Sequence, residues 1–178
     1  SSGEPRIGRE RRALHPIRVV LAVFAGLYLA FGILLAVGLH DGVDPAGSPL
    51  GYDFSAFHAA ARLAWNGHAV AAYDDTTMVE AEQAAFPGST ARLPWNYPPT
   101  FLLLLLPLAA LPYAAAWAVW SLLLLGAFAA LAARTFPRAA FWPILLSPAV
   151  AINLFLGQNG LLTAALVVIT GIVGAVLA

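Results

Sequence analysis

The chain alternates between long apolar runs and one polar stretch near its first third. Ile17 to Leu39 is apolar apart from Arg18 and small residues, and as a helix it would be roughly 34 Å long, enough to span a bilayer. That run is too long for a signal-peptide core, and no good small-x-small cleavage site follows it. The polar stretch runs from His40 to Tyr97 and is broken by Gly and Pro. Two helices are expected inside it. The first runs from about Ser55 to Asn66, with Gly67 as its stop. Its apolar face is Phe54, Phe57, Ala61, Ala64 and Trp65, and its polar stripe is Ser55, His58, Arg62 and Asn66. Such a helix is expected to lie in a membrane interface. The second runs from about Thr76 to Ala85, with Asp74 or Asp75 as its cap and "FPGS" as its end.

The apolar pattern then resumes. Between Pro99 and Pro112 only about a dozen residues are available, a length that fits a re-entrant or interfacial half-helix better than a span. Tyr113 to Ala133 is long enough to cross, and Arg134 and Arg138 follow it. Returning Pro98–Leu111 to its starting face places both arginines on the same side as the Arg-rich tail, as the positive-inside rule favours. Phe141 to Leu156, with Pro143 and Pro148, leads back outward, and a further span starts at Leu161. Asp53, "NYPP" and "GQNG" then share the outer side.

The expected organisation follows. Residues 1–16 form a cytoplasmic basic tail, 17–39 the first transmembrane helix, 40–97 an outer loop with amphipathic helices, and 98–178 a half-helix with further spans. The chain starts at Ser and stops inside an apolar run, so further C-terminal helices are expected. The fold class is all-α, a polytopic helical membrane protein.

Composition sharpens this picture. The 178 residues are 61% hydrophobic and 10% charged, where a soluble domain is about 45–50% and about 25%. All basic residues are arginine, and the Lys-free, Ala-rich usage fits a GC-rich bacterial genome. Net charge is zero and no basic stripe offers itself to nucleic acid. With no cysteine, disulfides say nothing of compartment. The four histidines are scattered, and no zinc-like spacing is present. Phosphate-cradling Gly loops, dinucleotide fingerprints and nucleophile elbows are absent too, which argues against a soluble nucleotide-sugar enzyme.

No carboxylate follows Glu82, so carboxylate chemistry is confined to the outer loop, the N-terminal tail apart. Asp53, between Tyr52 and Phe54, is either a general base toward a hydroxyl or the cap of the helix after it, a role Ser55 can also fill. Asp74 is either a second acid at an acceptor site or a cap. His58 and Arg62, one turn apart, either bind a lipid phosphate or form a solvated stripe. Asn96 and Tyr97 in "WNYPP" either touch substrate or belong to an aromatic belt. Gln158 and Asn159 either hold a polar head group or bond across helices.

The strings "DFSAFHAAARLAWNGHAVAAYD", "WNYPPTFLLLLLPLAALP" and "GQNG", in that order, resemble the N-terminal part of glycosyltransferase family 87. These are multispanning enzymes of the GT-C superfamily and include polyprenol-phosphate-mannose-dependent α-mannosyltransferases. The resemblance implies a hexose carried on a polyprenyl monophosphate, attacked by an acceptor hydroxyl with inversion. It implies an aspartate base in the first outer loop, at Asp53. "YPP" falls on Tyr97, Pro98 and Pro99, and the Gly-Gln pair on Gly157 and Gln158. With the residues singled out above, the expected substrate-binding set is Tyr52, His58, Arg62, Asp74, Asn96, Tyr97, Gln158 and Asn159, with no metal and no cofactor beyond the lipid-linked donor. The expected partners are that donor, a glycan or glycolipid acceptor and the bilayer of a bacterial plasma membrane, with the active site on the outer face. The competing classes are a transporter or flippase subunit and a non-enzymatic scaffold. A transporter should carry ionisable residues within its spans, and past Arg18 these have none.

Overall fold

In the computed structural model, the described residues are 18–30, 32–33, 38 and 40–177, with side chains described to residue 170. The expected tail, residues 1–16, lies outside them, and so do parts of the expected first span, residues 17–39. Its described core is a helix, α1 (Arg18–Ala30). All other regular elements among the described residues are helical: α2 (Tyr52–Trp65), a 3-10 turn (Ala69–Tyr73), α3 (Asp75–Ala85), α4 (Pro99–Ala109), α5 (Tyr113–Thr135), α6 (Arg138–Leu145), α7 (Pro148–Leu156) and α8 (Gly160–Leu177). The all-α class therefore holds.

α2 departs from expectation in four ways. It starts at Tyr52 rather than Ser55, because Gly51 takes the left-handed conformation (φ 66°) as N-cap. Ser55 does not cap; its hydroxyl donates to the Tyr52 carbonyl at 2.8 Å. Nor is α2 a solvated interfacial helix, for every residue from Phe54 to Ala61 is buried, Ser55 and His58 included. Trp65, placed on the apolar face, is 59% exposed. The cause is packing on more than one side. α2 lies most extensively against α4 and also contacts α3 and the 3-10 turn. Its run of Ala59, Ala60 and Ala61 removes the bulk that would keep those neighbours away.

The core is an aromatic cluster centred on Phe57. Tyr97 (5.2 Å between ring centroids), Phe101 (5.4 Å), Trp120 (6.0 Å) and Trp95 (6.2 Å) all stand edge-on to it, the geometry the ring quadrupoles favour. α4, α5 and the segment before α4 therefore close on one residue of α2. α3 begins with Asp74 as cap and ends at Phe86, within a residue or two of expectation.

α4 is 11 residues long, or roughly 16 Å, about half a hydrocarbon core. α5, at 23 residues, is the one described helix long and apolar enough to cross a membrane. α6 and α7 are apolar enough together and meet at a 43° bend, the shape of either a broken span or a re-entrant loop. Large apolar side chains stand exposed along several helices, among them Leu103 (67%), Leu122 (67%), Leu123 (64%) and Val167 (64%).

Candidate active site

Three helix starts meet around Asp53. α2 carries Asp53 in its first turn. α4 begins at Pro99, two residues after Tyr97, with Pro98 as cap. α8 begins at Gly160, where the Asn159 carbonyl accepts from Thr163 N–H at 3.0 Å. Each helix start carries partial positive charge, so the place they share suits an anion.

Asp53 makes no cap bond to the α2 backbone. Its Oδ2 is buried without a hydrogen-bond partner among the described residues. Such a group is costly unless something else uses it. The Tyr97 phenol reports on its surroundings. Burial raises its pKa first and the charge of Asp53 raises it further, while a side-chain hydrogen bond with Asn159 opposes both. Asp53, Tyr97 and Asn159, far apart in the chain, are thus neighbours. Gln158, next to Asn159 in the chain, is half-buried, and its backbone N–H donates to the Asn153 carbonyl at 2.9 Å.

The seam is held by α5. Trp120 Nε1 donates to the Gly157 carbonyl at 3.0 Å, and Tyr113 Oη donates to the carbonyls of Leu50 and Gly51. Trp117 lies between Gly51 and Gly157, and its indole N–H is also buried without a partner. Gly157 has φ 67°, and a Cβ there would stand 2.4 Å from that of Phe54. Only glycine lets the "GQNG" turn come this close to α2. The sequence reading missed Tyr113, Trp117 and Trp120. Their signal was available, as aromatics at i, i+4 and i+7 line one face of α5.

Other expected site residues lie elsewhere. Arg62 is nine positions beyond Asp53, about two and a half turns or roughly 13 Å along α2, and so on its opposite side. With His58 and Asn66 it lines a cavity of about 400 Å³ against α3. The buried His58 ring pairs with the Leu111 carbonyl at 3.3 Å. Burial lowers its pKa, the carbonyl contact partly offsets this, and the charge of Arg62 lowers it again. Asp74 is a cap, its Oδ1 accepting from Thr77 N–H (2.9 Å) and Thr77 Oγ1 (2.8 Å), and these bonds lower its pKa. Asn96 is exposed. Tyr52, half-buried, borders a smaller cavity of about 230 Å³ with Asp44 and Ser48. Among the described residues no cluster of His, Asp and Glu could hold a metal ion.

An all-helical site with an unengaged carboxylate at three helix starts suits group transfer at an anionic leaving group. Residues 95–175, just under half of the chain, match the family model of glycosyltransferase family 87. The match bears out the family resemblance and indicates a glycosyltransferase, from a family that is generally membrane-associated. It contains Tyr97, Gln158 and Asn159 but not Asp53, which folding brings to them. No curated protein and no solved structure matches the chain.

Proposed function

We propose that this chain is part of a polytopic membrane glycosyltransferase that moves a hexose, mannose in the first instance, from a polyprenyl-phosphate sugar to an acceptor hydroxyl. The observation that carries the reading is the Asp53 carboxylate, free of cap bonds and with an unpartnered oxygen, beside Tyr97 and Asn159. In this reading Asp53 takes the proton of the acceptor hydroxyl. The oxygen attacks the anomeric carbon, the bond from that carbon to the phosphate oxygen breaks, and the phosphate leaves with the electron pair. Attack from the side opposite the phosphate inverts the configuration. The three helix starts favour the charge that develops on the phosphate. Tyr97, Asn159 and Gln158 orient the reacting groups, and no metal or further cofactor takes part. Arg62, on the far side of α2, is not assigned to this phosphate.

The exposed leucines and valines of α4, α5 and α8 support a bilayer setting, since soluble monomers rarely expose apolar patches beyond a few hundred Å². The proposed topology places the N-terminal tail in the bacterial cytoplasm, α4 as a half-helix at the outer face and α5 as a span. Arg134 and Arg138 then lie inside, and Asp53 faces outward, where no nucleotide-sugar pool exists. Neither nucleic acid nor any soluble nucleotide sugar is a partner in this reading.

The test uses the full-length protein in right-side-out membrane vesicles, supplied with labelled polyprenyl-phosphate mannose or a labelled nucleotide sugar. Transfer from the lipid donor alone, with an inverted anomeric centre in the product by NMR, is the expected result. Transfer from the nucleotide sugar, or retention of configuration, would overturn the proposal.

A further inference from the structure

The buried side of α3 and its C-cap is Met78, Glu82 and Phe86, each four residues from the last. Two of these are apolar. The third is a carboxylate 2% exposed, with Oε1 unpartnered and Oε2 accepting from Leu93 N–H at 3.3 Å. A leucine or methionine would fill that place without an orphaned oxygen. Glu82 therefore does something besides packing.

Leu93 belongs to segment 89–98, which has neither helix nor strand and leads from α3 to α4. Its side chains alternate. Ala91, Leu93, Trp95 and Tyr97 are buried or half-buried, while Arg92, Pro94, Asn96 and Pro98 are exposed. Among the described residues, the main chain from 92 to 97 makes two hydrogen bonds. One runs from Leu93 N–H to Glu82, and in the other Tyr73 Oη donates to the Tyr97 carbonyl at 2.9 Å. Packing on Phe57 draws Trp95 and Tyr97 inward, but apolar contact is non-directional. The two hydrogen bonds set where the segment rests, and so where the Tyr97 phenol stands relative to Asp53 and Asn159.

No charged group faces Glu82; burial acts on its carboxyl first and the Leu93 bond second. α3 packs against α2 and the 3-10 turn. On α2, His58 and Arg62 line the cavity beside Ala81, Ala84 and Ala85, and Asp53 acts on Tyr97. On the 3-10 turn, Tyr73 is bound to Tyr97. On segment 89–98, Arg92 lines another cavity with Asp75 and Glu80 of α3.

We propose that Glu82 is a positioning residue for the transfer site: as a neutral carboxyl it clasps segment 89–98 and holds Tyr97 against Asp53 and Asn159, and as a carboxylate it lets that segment go. Its effect on rate rests on the transferase reading; the clasp itself does not. Burial pushes the Glu82 pKa up to about 7, so the change falls near neutral pH. The neutral carboxyl needs no counter-charge, and Oε2 still accepts from Leu93. The ionised form is a buried charge with one N–H partner, and it relieves this by turning to water, which breaks the Leu93 bond. Misplacing a reacting group by about 1 Å costs about 100-fold in rate.

The test uses the full-length protein in membranes, with two readouts from about pH 6 to about pH 8.5, a window centred near the Glu82 pKa. The first is kcat for hexose transfer from labelled polyprenyl-phosphate mannose. In wild type it should fall about tenfold as pH rises through about 7, with the donor KM little changed. Glu82→Gln accepts from Leu93 N–H at every pH and should hold the low-pH kcat throughout. Tyr73→Phe drops the other bond and should lower kcat at every pH while keeping the descending limb. His58, held below 6.5 by burial, titrates under this limb. The second readout is hydrogen exchange of residues 91–97 by mass spectrometry, corrected for the intrinsic effect of pH. Protection should drop above about pH 7 in wild type and not in Glu82→Gln. The proposal falls if Glu82→Gln keeps the wild-type limb of kcat even though it removes the pH dependence of stability, because Glu82 is then structural only. It also falls if protection of the segment is the same on both sides of the window, or changes alike in both proteins. If no preparation transfers hexose while exchange changes as expected, the transferase reading falls, and with it the effect of Glu82 on transfer, and the clasp stands.

Discussion

α2 and α3 each carry an aspartate at their N-terminal end, Asp53 and Asp74, and the two could hardly be used more differently. Asp74 stands just before α3 in extended backbone, and its carboxylate closes on Thr77. Asp53 stands inside the first turn of α2, behind a glycine cap, and closes on nothing in its own helix. Asp74 is exposed, while Asp53 is half-buried with one oxygen out of reach of solvent. A carboxylate's neighbourhood, more than its position near a helix start, decides whether it is available for chemistry.

The largest effect should fall on Asp53. Asp53→Asn is expected to lower hexose transfer at least about 100-fold, the usual range for a lost general base, with thermal unfolding little changed. Gly157→Ala comes next. A methyl group at φ 67° and 2.4 Å from Phe54 Cβ must push the "GQNG" turn off α2. We expect it to cost about 2–4 kcal/mol in denaturant unfolding, with transfer lost in the fraction that still folds. Tyr97→Phe removes the hydroxyl near Asp53 and its hydrogen bond with Asn159 and should reduce transfer about tenfold, the upper range for one neutral hydrogen bond. Unchanged transfer in Tyr97→Phe would remove the phenol from the site.

Glu82 sharpens the same comparison from inside the core. It is 2% exposed, Oε2 accepts from Leu93 N–H at 3.3 Å, and Oε1 has no partner. Burial pushes its pKa up to about 7. The folded state thus holds this proton more tightly than the unfolded state does. Stability should fall as pH rises from about 4.5, the ordinary glutamate value, to about 7, and level off above it. Glu82→Gln should abolish that slope in a thermal-unfolding series across this window. A slope that survives the substitution belongs to another group. The smallest effect is expected at Asp74, where Ala should lower the melting temperature slightly by unpinning α3 and leave transfer untouched.

Much of the helix layout was legible. The prolines at 98, 99 and 112 delimit α4, and the apolar run after Pro112 is α5. Asp74 and "FPGS" bracket α3 because capping and turn chemistry are local. The surroundings of α2 were not legible. A polar stripe of Ser55, His58 and Arg62 looks the same whether water or another helix faces it. His58 meets the Leu111 carbonyl, 53 residues away, and the Tyr113 ring. The site was half legible. Asp53, Tyr97 and Asn159 were each singled out, but their meeting depends on close approach at Gly51 and Gly157, which no local pattern encodes.

The most direct measurement is the rate of hexose transfer from labelled polyprenyl-phosphate mannose by full-length Asp53→Asn and Asp74→Asn, side by side in membranes at equal abundance. The account predicts loss of transfer in the first and a wild-type rate in the second. A wild-type rate in Asp53→Asn, or equal losses in both, would contradict it.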